Sequence, residues 1–428
     1  MLNFSSFFTF SIENELSQEQ AITQQIETFA STLHNAHYTD PSSFIYAPFD
    51  QTYIDNIQQL SSRYKNSIAA MVVVGIGGSN LGARAVHQLL CGSFSAHDQL
   101  PIYWADTVDT DYITALCAQV KIHLQKGEHI LVVIISKSGA TTETIANGQI
   151  ILDLLMHYNA TDYADSVMVI TDDQSALWHW ARQENIQTLE IPKQIGGRYS
   201  IFTPAGLFPL AVAGIDIVQL CKGAQEITPI CLQDNSATNI SLHRALIVYN
   251  AYIQGYVIHD FFAASVDAEN IGKWYRQLMA ESLGKQKTDG QRIGITPTVS
   301  ICSTDLHSMV QLNLAGPRNK ITTFLQIPPT HTLTITPSPL SALVENVADH
   351  SFENVMHAIM RGAMQAYQAE QLPYMHITVP EKSAYYVGQL LQMLMIEIVY
   401  LGTLLQVNPF DQPAVELYKK STRKLLSK

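Results

Sequence analysis

Positive charge is scarce in this chain of 428 residues: Lys and Arg number 25 against 37 Asp and Glu, the net charge is -12, and no basic residue precedes Arg63. Nucleic acid and anionic membrane surfaces both require clustered cations, so neither is an expected partner. The same absence removes the basic start of a secretory signal, despite the phenylalanines between Asn3 and Ile12. Cysteine is scarce as well. Cys91, Cys117, Cys221, Cys231 and Cys302 are odd in number and show no C-x-x-C spacing, which argues against a disulfide framework or a structural zinc site and for a reducing cytoplasm. A long uncharged apolar run is also missing. Leu390 to Val407 is interrupted by Gln392, Glu397 and Gln406, so it predicts a buried helix and not a membrane span, which needs about 18 uncharged apolar residues or more.

Hydrophobe is abundant. Apolar residues make up 47% of the chain and charged residues only 14%, against roughly 25% charged in an average soluble protein. The length suits two or three domains with sizeable cores. A chain of this charge that binds an anion must do so locally, against its own mean field.

Short β-branched runs alternate with helix-length segments. Met71 to Val74, Ile102 to Trp104, Ile130 to Ile135 and Val167 to Ile170 are apolar on both faces, the pattern of parallel strands covered by helices. This rhythm predicts a doubly wound α/β domain over residues 46 to 220, after an N-terminal helical segment of residues 1 to 45. A helical connection (221 to 254) leads to a second, weaker α/β rhythm over 255 to 412. Its candidate strands are Ile293 to Ile301, Ile321 to Ile327 and Met375 to Val379, with a long helix from Glu381 to Gln406. A C-terminal helix occupies 413 to 428. The fold class is therefore α/β, with two doubly wound domains and flanking helices. No short-period repeat is visible, though the halves could be diverged copies of one fold.

Two turns carry chemistry. The first strand runs into Gly75-Ile-Gly-Gly-Ser-Asn-Leu-Gly82, where glycines let a ligand approach backbone amides at a helix start. A dinucleotide site would want glycine where Asn80 stands, although Asp106 could otherwise serve the ribose. The third strand ends in Ser136-Lys-Ser-Gly-Ala-Thr-Thr-Glu-Thr144, with five hydroxyls in nine residues. Helix capping explains one or two of them. Hydroxyls and amides at the carboxyl edge of a parallel sheet can together hold a phosphate.

These two turns and Gly196-Gly-Arg-Tyr-Ser200 resemble the first sugar isomerase (SIS) domain of the glucose-6-phosphate isomerase family. Three later segments extend the resemblance in the same order: Glu281-Ser-Leu-Gly-Lys285, Asp305-Leu-His-Ser-Met-Val-Gln311 with Gly316-Pro-Arg318, and Asn408-Pro-Phe-Asp-Gln412 with Val415-Glu-Leu-Tyr-Lys419. Together they span about residues 70 to 425. The implied fold is a pair of SIS-type domains.

Glu281 lies near the end of a helix whose apolar face is Ile271, Trp274, Tyr275, Leu278 and Met279, with Gly284 as its stop. There a carboxylate meets the negative end of the helix dipole and some desolvation, both of which make it a better general base. The bland alternative is a solvated ion pair with Lys285 at i+4. The resemblance implies that Glu281 moves the proton between C1 and C2 of an open-chain sugar. His307 is expected in the first turn of a helix begun near Thr304, a position favouring neutral imidazole. The resemblance makes it a ring-opening group supplied by the neighbouring subunit, hence a homodimer with shared sites. Lys419 is one of five basic residues in the last ten positions, an ordinary solvated helix end. Its offset from Gln412 matches the family lysine that protonates the ring oxygen. Arg198 matches the arginine that stabilises the enediolate. Ser136, Lys137, Ser138 and Thr141 would take the phosphate, Gly78 and Ser79 would line the sugar, and Gln277 and Gln412 match polar substrate-binding positions.

The resemblance thus implies a cytoplasmic, cofactor-free and metal-free isomerase interconverting glucose 6-phosphate and fructose 6-phosphate through a cis-enediol. A bifunctional enzyme that also accepts mannose 6-phosphate, and a non-catalytic SIS-type sugar-phosphate sensor, are the alternatives.

Overall fold

A computed structural model describes residues 1–10, 12, 15–93, 99–158 and 163–427. Twelve strands are formed: β1 Asn3–Phe7, β2 Ala70–Val74, β3 Ile102–Ala105, β4 Ile130–Ser136, β5 Val167–Thr171, β6 Gln187–Glu190, β7 Ile258–Ala263, β8 Lys285–Gln286, β9 Arg292–Ile293, β10 Thr296–Ile301, β11 Lys320–Gln326 and β12 Tyr374–Thr378. Ten of them build two five-stranded sheets, and β8 pairs with β9 in a small hairpin.

The first sheet has the order β3-β2-β4-β5-β6 and is wholly parallel. Its first strand in sequence lies between the second and third, so chain direction across the sheet reverses between β2 and β4. Ligands of open α/β sheets bind in the crevice that this reversal opens at the strands' carboxyl ends. Both turns singled out in the sequence leave the sheet there, from β2 and from β4. In the second sheet β10-β7-β11-β12 are parallel and repeat the same relative order, while β1 pairs antiparallel with β12 at the edge. The first 45 residues are therefore not wholly helical. Asn3–Phe7 is a strand pairing Asn3 with Thr378, and the helix Glu15–Asn35 follows it.

Side-chain parity along the strands divides the core. Met71 and Val73 of β2 face one cluster, and Val72 and Val74 face another beneath the helices Thr110–Gln125 and Thr142–Tyr158. The first cluster is continuous with Phe261, Ile321, Leu325 and Met375 of the second sheet, so one core joins both halves. At its centre lies the helix Ala384–Leu404, long and apolar enough to cross a membrane, whose most apolar 18-residue window is 94% buried in protein. It crosses the helix Ile217–Cys231 at two glycines. A Cβ on Gly223 would stand 1.8 Å from the Tyr385 carbonyl oxygen, and one on Gly388 would stand 1.9 Å from that of Leu220.

Arg244 and Glu397 are fully buried and joined at 2.7 Å, with the Tyr275 hydroxyl donating to the same carboxylate at 3.0 Å. The link ties the helix Ile240–Ile253 to the central helix and to the helix Glu269–Leu283, which carries Glu281.

Candidate active site

The glycine-rich turn tightens into a single 3₁₀ turn, Gly77–Ser79, before the helix Leu81–Cys91. Gly77 has φ +58°, a left-handed conformation that favours glycine. Gly78 has a steric reason to be glycine, since its Cβ would lie 2.2 Å from the Gly197 carbonyl carbon and 2.6 Å from the Arg198 nitrogen. The glycine-rich turn and the 3₁₀ turn Gly197–Phe202 thus meet backbone to backbone. Ser200 Oγ reaches both the Gly78 and Gly197 carbonyls, at 3.2 and 2.8 Å. Asp106, the residue a dinucleotide would need, is instead in an ion pair with Arg84 at 2.6 Å.

On the adjacent strand, Ser136 is buried with its hydroxyl 3.1 Å from that of Thr141, and the Thr171 hydroxyl donates to the Ser136 carbonyl at 2.6 Å. Gly139, at φ +65°, turns the chain into the helix Thr142–Tyr158, whose amino end faces this hydroxyl cluster. Ser138 is exposed and Lys137 half-buried. Burial pushes the Lys137 ammonium below the usual lysine range, against the opposing pull of Asp172. A dianionic phosphate arriving there would favour its charged form.

Arg198 is the hub of the crevice. It is 3% exposed, and all five of its N–H groups have acceptors. Nε donates to Ser282 Oγ at 2.8 Å, Nη1 to Glu281 Oε2 at 3.3 Å and to Gln412 Oε1 at 2.7 Å, and Nη2 to the carbonyls of Pro409 at 2.6 Å and Asp411 at 3.0 Å. Glu281 keeps 29% of its side chain exposed. Its other oxygen accepts from Gln277 Nε2 at 3.1 Å, and that nitrogen lies 3.0 Å from where a Cβ on Gly77 would be. Glycine turn, arginine, glutamate and both glutamines therefore form one contiguous cluster. Among the described residues no group of three or more His, Cys, Asp or Glu is placed to hold a metal ion.

Two residues of the sequence reading stand outside both this cluster and the hydroxyl-rich turn. The expected helix at Thr304 is a 3₁₀ turn, Thr304–Leu306, and the α-helix begins only at Val310. His307 therefore stands ahead of a helix and not in its first turn, so the dipole argument does not apply. The reason is local: the Asp305 carboxylate accepts from the Ile301 amide at 2.7 Å and the Ser308 hydroxyl at 2.8 Å, folding the turn back onto β10. The His307 side chain is exposed. Lys419, on the exposed helix Val415–Leu426, pairs with Glu416 at 3.0 Å.

The sequence reading missed Lys285 as a partner for anything but Glu281. The helix stops at Leu283, and Lys285 turns instead to Asp411, reaching its carboxylate at 2.7 Å. Its place in Glu-Ser-Leu-Gly-Lys was the available signal. A cavity of about 1080 Å³ opens between the helices Thr142–Tyr158 and Ala176–Gln183 and touches Gly139 and Thr142, but it is mainly apolar and includes neither Arg198 nor Glu281. The chemistry is concentrated in the crevice.

Two doubly wound sheets of common strand order, with hydroxyls at the switch point of the first and a carboxylate-arginine pair joined through Gln277 to its glycine-rich turn, define the class of open α/β proteins whose ligands bind at that reversal. The profile of the family described as "Phosphoglucose isomerase" matches residues 52–321. A glucose-6-phosphate isomerase of Heliobacterium modesticaldum is 33% identical over 393 residues, 89% of this chain and 85% of its own, and one from Mycoplasma capricolum is 31% identical over 389 residues, 89% and 88% of the two chains. A hypothetical protein from Thermus thermophilus has the same fold, with a TM-score of 0.87 and 27% identity over the full length of both chains. The chain belongs to the phosphoglucose isomerase family.

Proposed function

We infer that the protein interconverts glucose 6-phosphate and fructose 6-phosphate, and the observation that carries the mechanism is the Glu281 carboxylate held between a saturated Arg198 and Gln277 against the glycine-rich turn. The phosphate is taken by Ser136, Ser138 and Thr141 with the amides of the helix start and the Lys137 ammonium. Gly78 and Ser79 line the sugar, leaving its C1–C2 end toward Glu281. In the aldose-to-ketose direction Glu281 removes the C2 proton, the electron pair forms the C1–C2 double bond, and the negative charge develops on O1. Arg198 faces that charge as a fixed cation, stabilising it without having to reorganise. Transfer of the O2 hydroxyl proton to O1 moves the charge to O2, and return of the carbon-bound proton from Glu281 to C1 as the carbonyl forms at C2 completes the exchange. His307 and Lys419 open the ring.

Neither of these two residues adjoins Glu281 within one chain, which supports a homodimer whose partner contributes His307. The exposed apolar surface supports it too: Leu333 (60%), Leu340 (71%), Leu343 (76%) and Phe352 (57%) lie on one long excursion, and Leu417, Leu425 and Leu426 on a terminal helix with no buried residue. Surfaces of this kind mark interfaces. Free cysteines and the burial of the one long apolar helix support a cytoplasmic protein.

Glu281→Gln tests the base directly. Loss of a positioned general base costs on the order of 10² to 10⁴ in rate, so kcat in a coupled assay should fall by that range while KM for fructose 6-phosphate changes little. A fully active variant would remove Glu281 from the mechanism.

A further inference from the structure

We propose that Lys285 is a positioning residue for this reaction, pinning residues 408–412 onto Arg198 and thereby setting Gln412 against the Glu281–Arg198 pair; the idea rests on the isomerase reading above. The two halves of that loop are held differently. Its first half is anchored by apolar contact: Pro409 packs on Gly402, where a Cβ would be 2.9 Å away, and the Phe410 ring lies 5.4 Å from Tyr199. Asp411 has no such anchor. Among the described residues its only side-chain partners in hydrogen bonding are Arg198, which donates to its carbonyl at 3.0 Å, and Lys285, whose Nζ donates both to that carbonyl and to Oδ1, the latter at 2.7 Å.

The pair is not an ordinary surface ion pair, which would contribute little. The Lys285 side chain is 7% exposed and that of Asp411 is 51% exposed, so the buried member is the cation. Burial pushes Lys285 below the usual lysine range, and the Asp411 carboxylate opposes this. The lysine also rises from a fixed base, because β8 and β9 pair Lys285 with Ile293 two residues beyond the end of the Glu281 helix. It thus transmits the position of that helix to a loop distant in sequence. Gln412, the next residue, shares Nη1 of Arg198 with Glu281. Freeing Asp411 therefore lets Gln412 shift and alters the hydrogen bonding of the cation that faces the developing charge.

Lys285→Met keeps the length of the side chain and removes its donors. A misplacement of about 1 Å can cost as much as 10²-fold, and we expect kcat to fall about 10- to 100-fold with KM for fructose 6-phosphate within about twofold. Lys285→Arg should retain most of kcat. Two inhibitors separate positioning from general damage. A hexitol 6-phosphate, which has the phosphate but no developing charge, should bind as in the unmodified protein. A five-carbon aldonic acid phosphate, whose carboxylate imitates the enediolate, should weaken in proportion to kcat. Amide exchange at 411–412 should quicken in Lys285→Met and stay unchanged in Ala384–Leu404. Unaltered kcat, or equal weakening of both inhibitors, overturns the proposal. If the unmodified protein turns over no sugar phosphate, the isomerase reading falls. The exchange measurement then decides the docking role alone: faster exchange supports it and unchanged exchange overturns it.

Discussion

Every N–H of Arg198 has a protein acceptor, which decides what kind of electrostatic group it can be. A guanidinium with idle donors would swing toward substrate and lose orientation each time it did so. This one is fixed by Ser282, Gln412 and two backbone carbonyls before any ligand arrives. Removal of one partner of a buried ion typically costs about 3 to 5 kcal/mol, so the arrangement is stable only while the loop and the helix end stay in place. Arg198, Glu281 and Gln412 could be picked out from the sequence because each sits inside a compact motif, and Gln277 because it lies one turn before Glu281. Lys285 could not, since an i+4 pairing assumes a helix that continues, and Gly284 follows the last helical residue. The behaviour of His259 was equally hidden. Burial and the Arg244 cation push its imidazole down to about 3, so the folded protein stays neutral there while the unfolded chain takes up a proton below about pH 6.5. Stability from this group is complete above that value and declines as pH falls toward 3, by up to about 1.4 kcal/mol per pH unit. His259→Gln should flatten the acid limb of a plot of urea-unfolding free energy against pH, and an unchanged slope would contradict the assignment.

Helices and strands differ in how much of themselves they disclose. The strands β2, β4 and β5 are continuous apolar runs buried on both faces, and they could be read directly. The strand β7 could not, because His259 and Asp260 interrupt it. Both are buried and find their hydrogen-bond partners only in residues distant in sequence, His259 Nε2 in Thr323 at 2.7 Å and Asp260 in Thr298 and Ser300. A polar residue in a central strand looks like a break until its partners are known. The edge strand β6 has an exposed polar residue at each end and a single buried one, Leu189, and was missed for the opposite reason, having no run at all. The glycine crossing of Ile217–Cys231 with Ala384–Leu404 gives an element-scale test. In an isolated helix Gly→Ala gains up to about 1 kcal/mol. At Gly388 the new methyl would meet a backbone carbonyl at 1.9 Å, and overpacking costs about 1 to 3 kcal/mol or more. Steric cost should win, so Gly388→Ala is expected to lower the urea midpoint, and an unchanged or higher midpoint would show that the helices can separate cheaply.

For the molecule as a whole, a charge of -12 is compatible with an anionic substrate because recognition is short-range. In the proposed site, hydroxyls, amides and one half-buried lysine would act over a few ångströms, whereas the mean field is screened beyond about 8 to 10 Å at physiological salt. The repeated strand order of the two sheets answers the question left by the sequence: the halves share a topology. The proposed assembly has its own test. Glu281→Gln and His307→Ala homodimers should both be impaired, but if His307 crosses the interface, mixing them restores one complete site in each mixed dimer. Random exchange of subunits would recover about a quarter of the unmodified activity. No recovery after proven exchange would assign both residues to one subunit.

The pairing of Asn3–Phe7 with Tyr374–Thr378 also has a consequence in time. The two strands enclose nearly the whole chain between them, so the loop-closure entropy of this contact is met only when the intervening structure has already brought the ends together. Until then the edge of β12 presents unpaired backbone groups to any passing strand. The last step of folding is thus expected to seal the second sheet, and a refolding chain is most exposed to mispairing just before it.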